Sequence, residues 1–300
     1  MLVSVVIPTF NRRGILEKCL NSLENQIIKK PVKDYEVIVV DDGSTDQTVD
    51  WLLSNQNIYP HVKLFQQRHG GPAQGRNLGV SNAKGEIIVF IDSDLVVVKD
   101  FISVHINQLI KAQQKLGDNS CFTYGTVINT SNFDKPSSEK FKLTDYSMAY
   151  FATGNVAIPK ELLLKVGLFD SSFSLYGWED LELGVRLHNY NIKLIKAPLA
   201  IGFHWHPPFS LNNISSLINK EKERAKMAIL FLRKHPTFRV RLIIQKTIFH
   251  RLLWELLAIG GLINKSTLRP ILKILISIGY PGIALEIFRI YLNLVYVRSL

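Results

Sequence analysis

Val3–Ile7 opens the chain as a β-branched apolar run, the pattern of a strand buried on both faces. Ile15, Leu16, Cys19, Leu20, Leu23 and Ile27 then recur at helical spacing, and Pro31 predicts the end of that helix. Tyr35–Val40 is a second predicted strand, closing on Asp41-Asp42-Gly43-Ser44-Thr45-Asp46, and Val62–Phe65 is a third. A Gly70-Gly71-Pro72 turn leads into a helix through Arg76 and Leu78, and the run Glu86–Ile91 predicts the fourth strand. Strand–helix alternation of this kind implies the α/β class, with a mostly parallel central sheet flanked by helices and right-handed crossovers.

The pattern changes further on. Asn129–Tyr146 is polar and aperiodic, which at this length suggests a lid or substrate loop. Ala152–Ile158 resumes the tight loops and strands. A helix is predicted from Trp178-Glu179-Asp180, with Leu181, Val185 and His188 on one stripe. Near the C-terminus Leu242, Ile243, Ile244, Ile248, Phe249, Leu252, Leu253, Leu256 and Leu257 form a broad apolar stripe, with Arg241, Gln245, Lys246, His250 and Glu255 opposite. Charged residues interrupt Ile271–Ile278 and Ile287–Val297, so no run reaches the ~18 apolar residues of a spanning helix.

Charge divides the chain more sharply than hydropathy does. Residues 1–219 balance 21 Lys and Arg against 21 Asp and Glu, whereas residues 220–300 hold 15 against 4, so the net +11 lies wholly at the C-terminal end. The split predicts a catalytic domain over 1–210 and a basic, amphipathic α-helical appendage over 211–300. Basic amphipathic helices with Trp and Phe fit the surface of an anionic membrane. The alternative is a bundle that packs on the catalytic domain or joins two copies in a homodimer. Nucleic acid is discounted because the region is too apolar and carries no nucleic-acid motif. Cys19 and Cys121 make no disulfide framework, and the N-terminus reads as a strand rather than a leader, which together fit a cytoplasmic protein peripheral to the cytoplasmic face of a membrane.

Candidate chemistry collects at strand tips. Asp92-Ser93-Asp94 ends the Glu86–Ile91 run, where two carboxylates are costly unless a cation meets them. An acid-X-acid pair offers hard oxygen ligands to Mg²⁺ or Mn²⁺, ions that keep phosphate oxygens as further ligands. His204 and His206 flank Trp205 at the end of Leu199–Phe203, and strand alternation puts both imidazoles on one face. Arg76 starts a helix, where it could reach a phosphate.

Taken in order, Val3–Arg12, Val39–Asp46, Gly75-Arg-Asn-Leu-Gly79, Asp92-Ser-Asp94, Gly154-Asn155 and Gly177-Trp-Glu-Asp180 resemble the family 2 glycosyltransferases of the GT-A nucleotide-sugar-binding fold over roughly residues 1–206. The Gly-Trp-Glu-Asp stretch is similar to one in galactosyl- and N-acetylgalactosaminyl-transferases and chondroitin-type polymerases. The resemblance implies Pro8, Thr9 and Arg12 beside the uridine and pyrophosphate, Asp42 on the base, and Arg76 near phosphate. It implies Asp92 at ribose or metal, Asp94 on the metal, and a histidine completing the metal shell, His204 before His206 as the alternative. Asp180 is then the base that deprotonates the acceptor, Glu179 contacts sugar hydroxyls, and Trp178 forms an aromatic wall for the sugar.

The function expected is metal-dependent, inverting transfer of a sugar from a nucleoside-diphosphate donor, a UDP-sugar first, to a hydroxyl of a glycan or lipid-linked saccharide. Transfer to a polyprenyl phosphate is the alternative within enzymes, and a non-catalytic nucleotide-sugar-binding protein the alternative outside them. Asp92, Asp94 and Asp180 together argue against the latter.

Overall fold

Val3, Val5 and Ile7 of the first strand are buried in one apolar cluster and Val6 in another, so the strand is covered on both sides. In the computed structural model, which describes residues 1–300, that strand is Leu2–Thr9 (β1). Arg13–Glu24 (α1), Asp34–Asp41 (β2), Thr48–Ser54 (α2), Val62–Gln66 (β3), Pro72–Asn82 (α3) and Ile87–Ile91 (β4) follow. Leu95–Val97 (β5), Phe101–Leu116 (α4), Cys121–Thr130 (β6), Asn155–Pro159 (β7), Lys160–Val166 (α5), Glu179–Asn189 (α6) and Lys193–Trp205 (β8) complete the sheet region. Two units result: Met1–Ser174 with Glu179–His206, and Leu175–Trp178 with Pro207–Leu300.

In the first unit the eight strands form one sheet in the order β3-β2-β1-β4-β7-β6-β8-β5. Four of the seven neighbouring pairs are parallel. The three antiparallel pairs all involve strands beyond the β3-β2-β1-β4 block, which is parallel throughout. One face packs Val37, Val39, Val89 and Ile91 against Leu16, Cys19 and Leu20 of α1 and Phe101, Ile102 and Ile106 of α4. The other packs Ile38, Val40, Ile88 and Phe90 against Ala73 and Val80 of α3, Leu162 and Leu163 of α5, and Leu183 and Leu187 of α6. Each such side chain contributes about 1.5–3 kcal/mol when fully buried. The Gly75-x-x-x-Gly79 spacing lets α3 lie against β1: a Cβ at Gly79 would stand 2.4 Å from Val6 Cγ1.

Two helices differ from expectation. α1 ends at Glu24 rather than near Pro31, because the Ile27 amide donates to Lys99 O at 2.6 Å and draws the chain out of the helix. In α6 the buried positions are Glu179, Glu182, Leu183, Gly184 and Leu187, while Leu181 and Val185 are half-buried and His188 exposed. Arg186 donates to both Glu182 oxygens, at 2.6–3.1 Å, and this lets a carboxylate hold an inward position that a count of apolar residues passes over. Between β6 and β7, Pro136–Ser138 and Leu143–Asp145 form single 3₁₀ turns, and Asp145 accepts from both the backbone and the side chain of Asn129.

The second unit is helical: Ile214–Lys234 (α7), Phe238–Ile243 (α8), Ile248–Leu257 (α9), Lys265–Ser277 (α10) and Pro281–Arg298 (α11). Phe209, Ile214, Leu268, Leu272, Ala284, Phe288 and Leu292 form a core of this unit. The stripe expected from Leu242 to Leu257 is broken in two. Gln245 sits at φ +59° after α8, and Thr247 caps α9 by accepting from the His250 amide. No helix is long and apolar enough to cross a membrane.

Candidate active site

Beyond β4 the chain turns through Asp92-Ser93-Asp94 into β5, and β5 pairs antiparallel with β8 so that Leu95 faces His204. That register brings His204 Nε2 to 3.2 Å from Asp94 Oδ1. Asp92, Asp94 and His204 each present one ligand atom, and the three atoms lie within 4.8 Å of one another. Asp94 Oδ1 is buried with no well-aligned hydrogen bond, its neighbour being the His204 nitrogen at 3.2 Å, and it keeps lone pairs that a cation could take. Two carboxylates and an imidazole fit a divalent metal of the Mn²⁺ type, and fit Mg²⁺ less well because of the nitrogen ligand. His206 stands outside this triad, with its Nε2 3.0 Å from His204 Nδ1, where it fixes the orientation of the ring.

Charges around the triad shift its titration. Burial alone would raise the Asp94 carboxyl, yet His204 and Arg12 outweigh it and hold Asp94 below its usual range. Burial would likewise lower His204, but the Asp94 carboxylate raises it. Arg12, just before α1, donates to Asp94 Oδ2, while Thr9 Oγ1 is buried nearby on the chain with no partner. Pro8 is half-buried at the same strand end.

At the tip of β2, Asp41 Oδ2 accepts from the Gly43 and Ser44 amides at 3.1 and 2.9 Å. Asp42 is 4% exposed. Its Oδ1 accepts from Gln67 Nε2 at 2.7 Å and the Gly70 amide at 2.8 Å, and its Oδ2 from the Gly71 amide at 3.0 Å. His69 Nδ1 lies 2.9 Å from Oδ2, and the His69 ring stacks on Phe10 at 4.2 Å. Asp42 therefore shapes the 67–71 loop directly, and an aromatic pair that motif reading passed over stands beside it.

Arg76 departs from expectation. It is only 4% exposed and its two terminal nitrogens are taken, NH1 by Glu179 Oε1 at 2.8 Å and NH2 by Asp92 Oδ1 at 3.1 Å. A guanidinium so engaged is an internal counter-charge rather than an open phosphate ligand. Glu179 is buried, and its second oxygen has no partner. Asp180, next along α6, accepts from the Leu181 amide at 2.7 Å. Burial pushes the Asp180 carboxyl up and the adjacent Glu179 carboxylate adds to this against the pull of Arg76, with the result at about 7.

Trp178 also departs from expectation. It is 8% exposed and belongs to the second unit, where its Nε1 donates to Arg224 O at 2.8 Å and its ring packs near Phe231 and Tyr296. A ring so covered packs the helical unit and offers no wall to a sugar. Its backbone lies in the left-handed region at φ +79°, after Gly177 at φ +91°, a conformation that costs a bulky residue energy and is held by this packing. Asn155, singled out only as part of a Gly-Asn pair, bridges strands: Nδ2 donates to Thr126 O and Ala200 O, and Oδ1 meets His105 Nε2 at 2.7 Å. His105 is wholly buried and its other nitrogen meets Thr123 Oγ1.

A mixed sheet with acidic strand tips of this kind is the GT-A glycosyltransferase fold. The likeness extends to a mannosyltransferase from Pyrobaculum calidifontis solved with GDP-Man and Mn²⁺ (TM-score 0.61, 18% identity, 99% of this chain and 86% of that one). It extends also to S. aureus TarS 1–349 solved with UDP-GlcNAc (TM-score 0.54, 19% identity, 100% and 91%). The family model Glycosyl transferase family 2 matches residues 4–167, and the chain belongs to that family. Validoxylamine A glucosyltransferase of Streptomyces hygroscopicus subsp. jinggangensis is 29% identical over 269 residues, covering 79% of this chain and 61% of that protein. The chondroitin synthase of Escherichia coli is 28% identical over 255 residues, covering 73% of this chain and 37% of that protein. The chain thus spans less than two thirds of the length of either relative.

Proposed function

We propose that this glycosyltransferase is metal-dependent and inverting, and moves a hexosyl group from a UDP-sugar to a hydroxyl of a glycan or lipid-linked saccharide. The observation that carries the reading is the convergence of Asp92, Asp94 and His204, whose ligand atoms lie within 4.8 Å of one another. These three residues would hold Mn²⁺ or Mg²⁺. A metal there, when bound, neutralises the charge that develops on a departing diphosphate.

This chain's own residues supply the remainder. Arg12 sits against Asp94, where its cation can also face a diphosphate. Asp42 and the Phe10–His69 stack frame the end of β2, where the uridine would lie beside Pro8 and Thr9. Asp180 takes the proton of the acceptor hydroxyl as its oxygen attacks the anomeric carbon from the face opposite the phosphate, and a carboxyl titrating at about 7 is suited to that transfer. Glu179, held through one oxygen by Arg76, keeps the other for a sugar hydroxyl. The UDP choice draws support from the UDP-GlcNAc bound by the S. aureus structure. The lipid-linked acceptor draws it from a relative named GalNAc(5)-diNAcBac-PP-undecaprenol β-1,3-glucosyltransferase, 31% identical over 188 residues. Residues 1–210 would carry the chemistry and 211–300 hold the enzyme at the cytoplasmic face of a membrane.

The test is a hydrolysis and transfer screen over UDP-, GDP- and dTDP-sugars, with added Mn²⁺ or after chelation. A UDP-sugar turned over only with metal, to a product of inverted anomeric configuration, is the expected result. Full-rate transfer by the chelated enzyme, or a retained anomer, overturns the reading.

A further inference from the structure

Among the longer helices of the second unit, α9 stands out because none of its residues is buried. Ile248, Phe249, Leu252 and Leu256 are 79%, 68%, 64% and 77% exposed. At about 100° per residue these four fall within one arc of roughly 100°, which makes a continuous apolar ridge along the helix. Ile259 and Leu262, 60% and 68% exposed, extend the apolar exposure into the turn that follows. The helix is tied down elsewhere: Trp254, opposite the ridge, donates to Gln245 Oε1 at 2.8 Å, and Glu255, at the edge of the ridge, accepts from Arg298 at 2.7–2.8 Å. An exposed apolar ridge on an otherwise anchored helix marks a surface that meets a partner.

Charge identifies the partner. All of the chain's +11 lies in residues 220–300. Arg239 and Arg241 on α8, Arg251 on the flank of the ridge, and Arg269 and Lys273 on α10 are exposed. Of these, Arg239, Arg241, Arg269 and Lys273 enter no ion pair within the molecule. An apolar ridge on a helix whose neighbours in the chain, α8 and α10, carry unpaired cations complements a surface that is anionic outside and apolar just beneath, which is an anionic lipid bilayer. Since no helix can span, the contact is in the plane of the surface.

We propose that α9 lies in the plane of an anionic membrane, with Ile248, Phe249, Leu252 and Leu256 at the acyl boundary and the arginines and lysines of α8–α10 among the headgroups. The inference deepens the membrane-surface reading above and rests on it. It goes beyond that reading in naming the inserted element.

The full chain is sedimented with phosphatidylglycerol–phosphatidylcholine vesicles and with pure phosphatidylcholine vesicles, at low and high salt. Binding to the anionic vesicles alone, lost at high salt, is expected. Phe249→Ser with Leu252→Ser should weaken it at least tenfold, and Arg239→Glu with Arg241→Glu by about fivefold or more for each cation lost. A Phe249→Trp variant should be quenched by lipids brominated in the acyl chain. Donor hydrolysis without vesicles should be unchanged in every variant, which separates failure of the docking surface from failure of the enzymatic reading. Equal binding to both vesicle types, no binding, or an unquenched Trp at 249 overturns the proposal. So does a homodimer in solution that the Phe249 and Leu252 changes dissociate.

Discussion

Arg76 NH1 and Glu179 Oε1, 103 residues apart in sequence, meet at 2.8 Å with both side chains under a tenth exposed. The same guanidinium holds Asp92 Oδ1 at 3.1 Å, so one buried cation ties the β4 tip to the first turn of α6. A buried pair adds little net stability, but removing one partner leaves the other charged and unpaired, at a cost of about 3–5 kcal/mol. Arg76→Met should therefore lower the unfolding free energy measured by urea denaturation by that order. A midpoint within error of the wild type would show that Glu179 and Asp92 find other partners.

Asp94→Asn keeps the shape of the strand tip and removes one charge from the triad. UDP binding in the presence of Mn²⁺, measured by calorimetry, should weaken at least tenfold, while UDP binding without metal changes little. If both affinities fell together, Asp94 would be acting on the nucleotide rather than on the ion.

Asp180→Asn should lower kcat about 10²–10⁴-fold with donor affinity nearly unchanged, the usual range for general-base assistance. In the wild type the base must be ionised, so kcat/KM should rise with pH up to about 7 and level off above it. The stability effect has the opposite sign. The folded carboxyl keeps its proton up to about 7 and the unfolded one releases it near 3.9, so native stability falls as pH rises between these values. Asp180→Asn should thus be more stable than wild type at pH 8, by chemical denaturation, with the gain shrinking toward pH 4. A flat difference across that window would contradict the raised carboxyl.

Burial pushes His105 down to about 4, so it is neutral in the native sheet while the unfolded histidine titrates near 6.5. Its contribution is complete above pH 6.5 and drains away as pH falls toward 4. Replacing it leaves Thr123 and Asn155 unsatisfied, about 1–3 kcal/mol for a buried polar group. His105→Leu should be destabilised by that amount at pH 7.5 and show a shallower loss on acidification. An unaltered acid slope would place the titrating group elsewhere.

The parallel half of the sheet and the Asp92-Ser93-Asp94 turn are legible in sequence because continuous apolar runs have few alternatives and their polar ends stand out. Alternation along a strand puts His204 and His206 on one face, and the β5–β8 register is what brings His204 rather than His206 to Asp94. What escapes are features made by distant pairing. Glu182 faces inward only because Arg186 neutralises it, and Arg76 is buried only because Glu179 and Asp92 converge on it. The split of the Leu242–Leu257 stripe depends on one left-handed residue, Gln245, in a stretch whose periodicity runs straight through. Trp178 looks like a sugar wall beside Glu179, and its burial depends on Arg224, Phe231 and Tyr296, more than forty positions away.

Leu175–Trp178 belongs to the helical unit although the chain on either side of it, ending at Ser174 and resuming at Glu179, belongs to the sheet unit. The two units are therefore interleaved along the chain, and no single cut separates them. A fragment ending at His206 would retain Trp178 but lose Arg224, Phe231 and Tyr296, leaving a bare indole and an unsupported left-handed turn one residue before α6. Exchange of the basic helices between related enzymes would have to carry this four-residue stretch along with them.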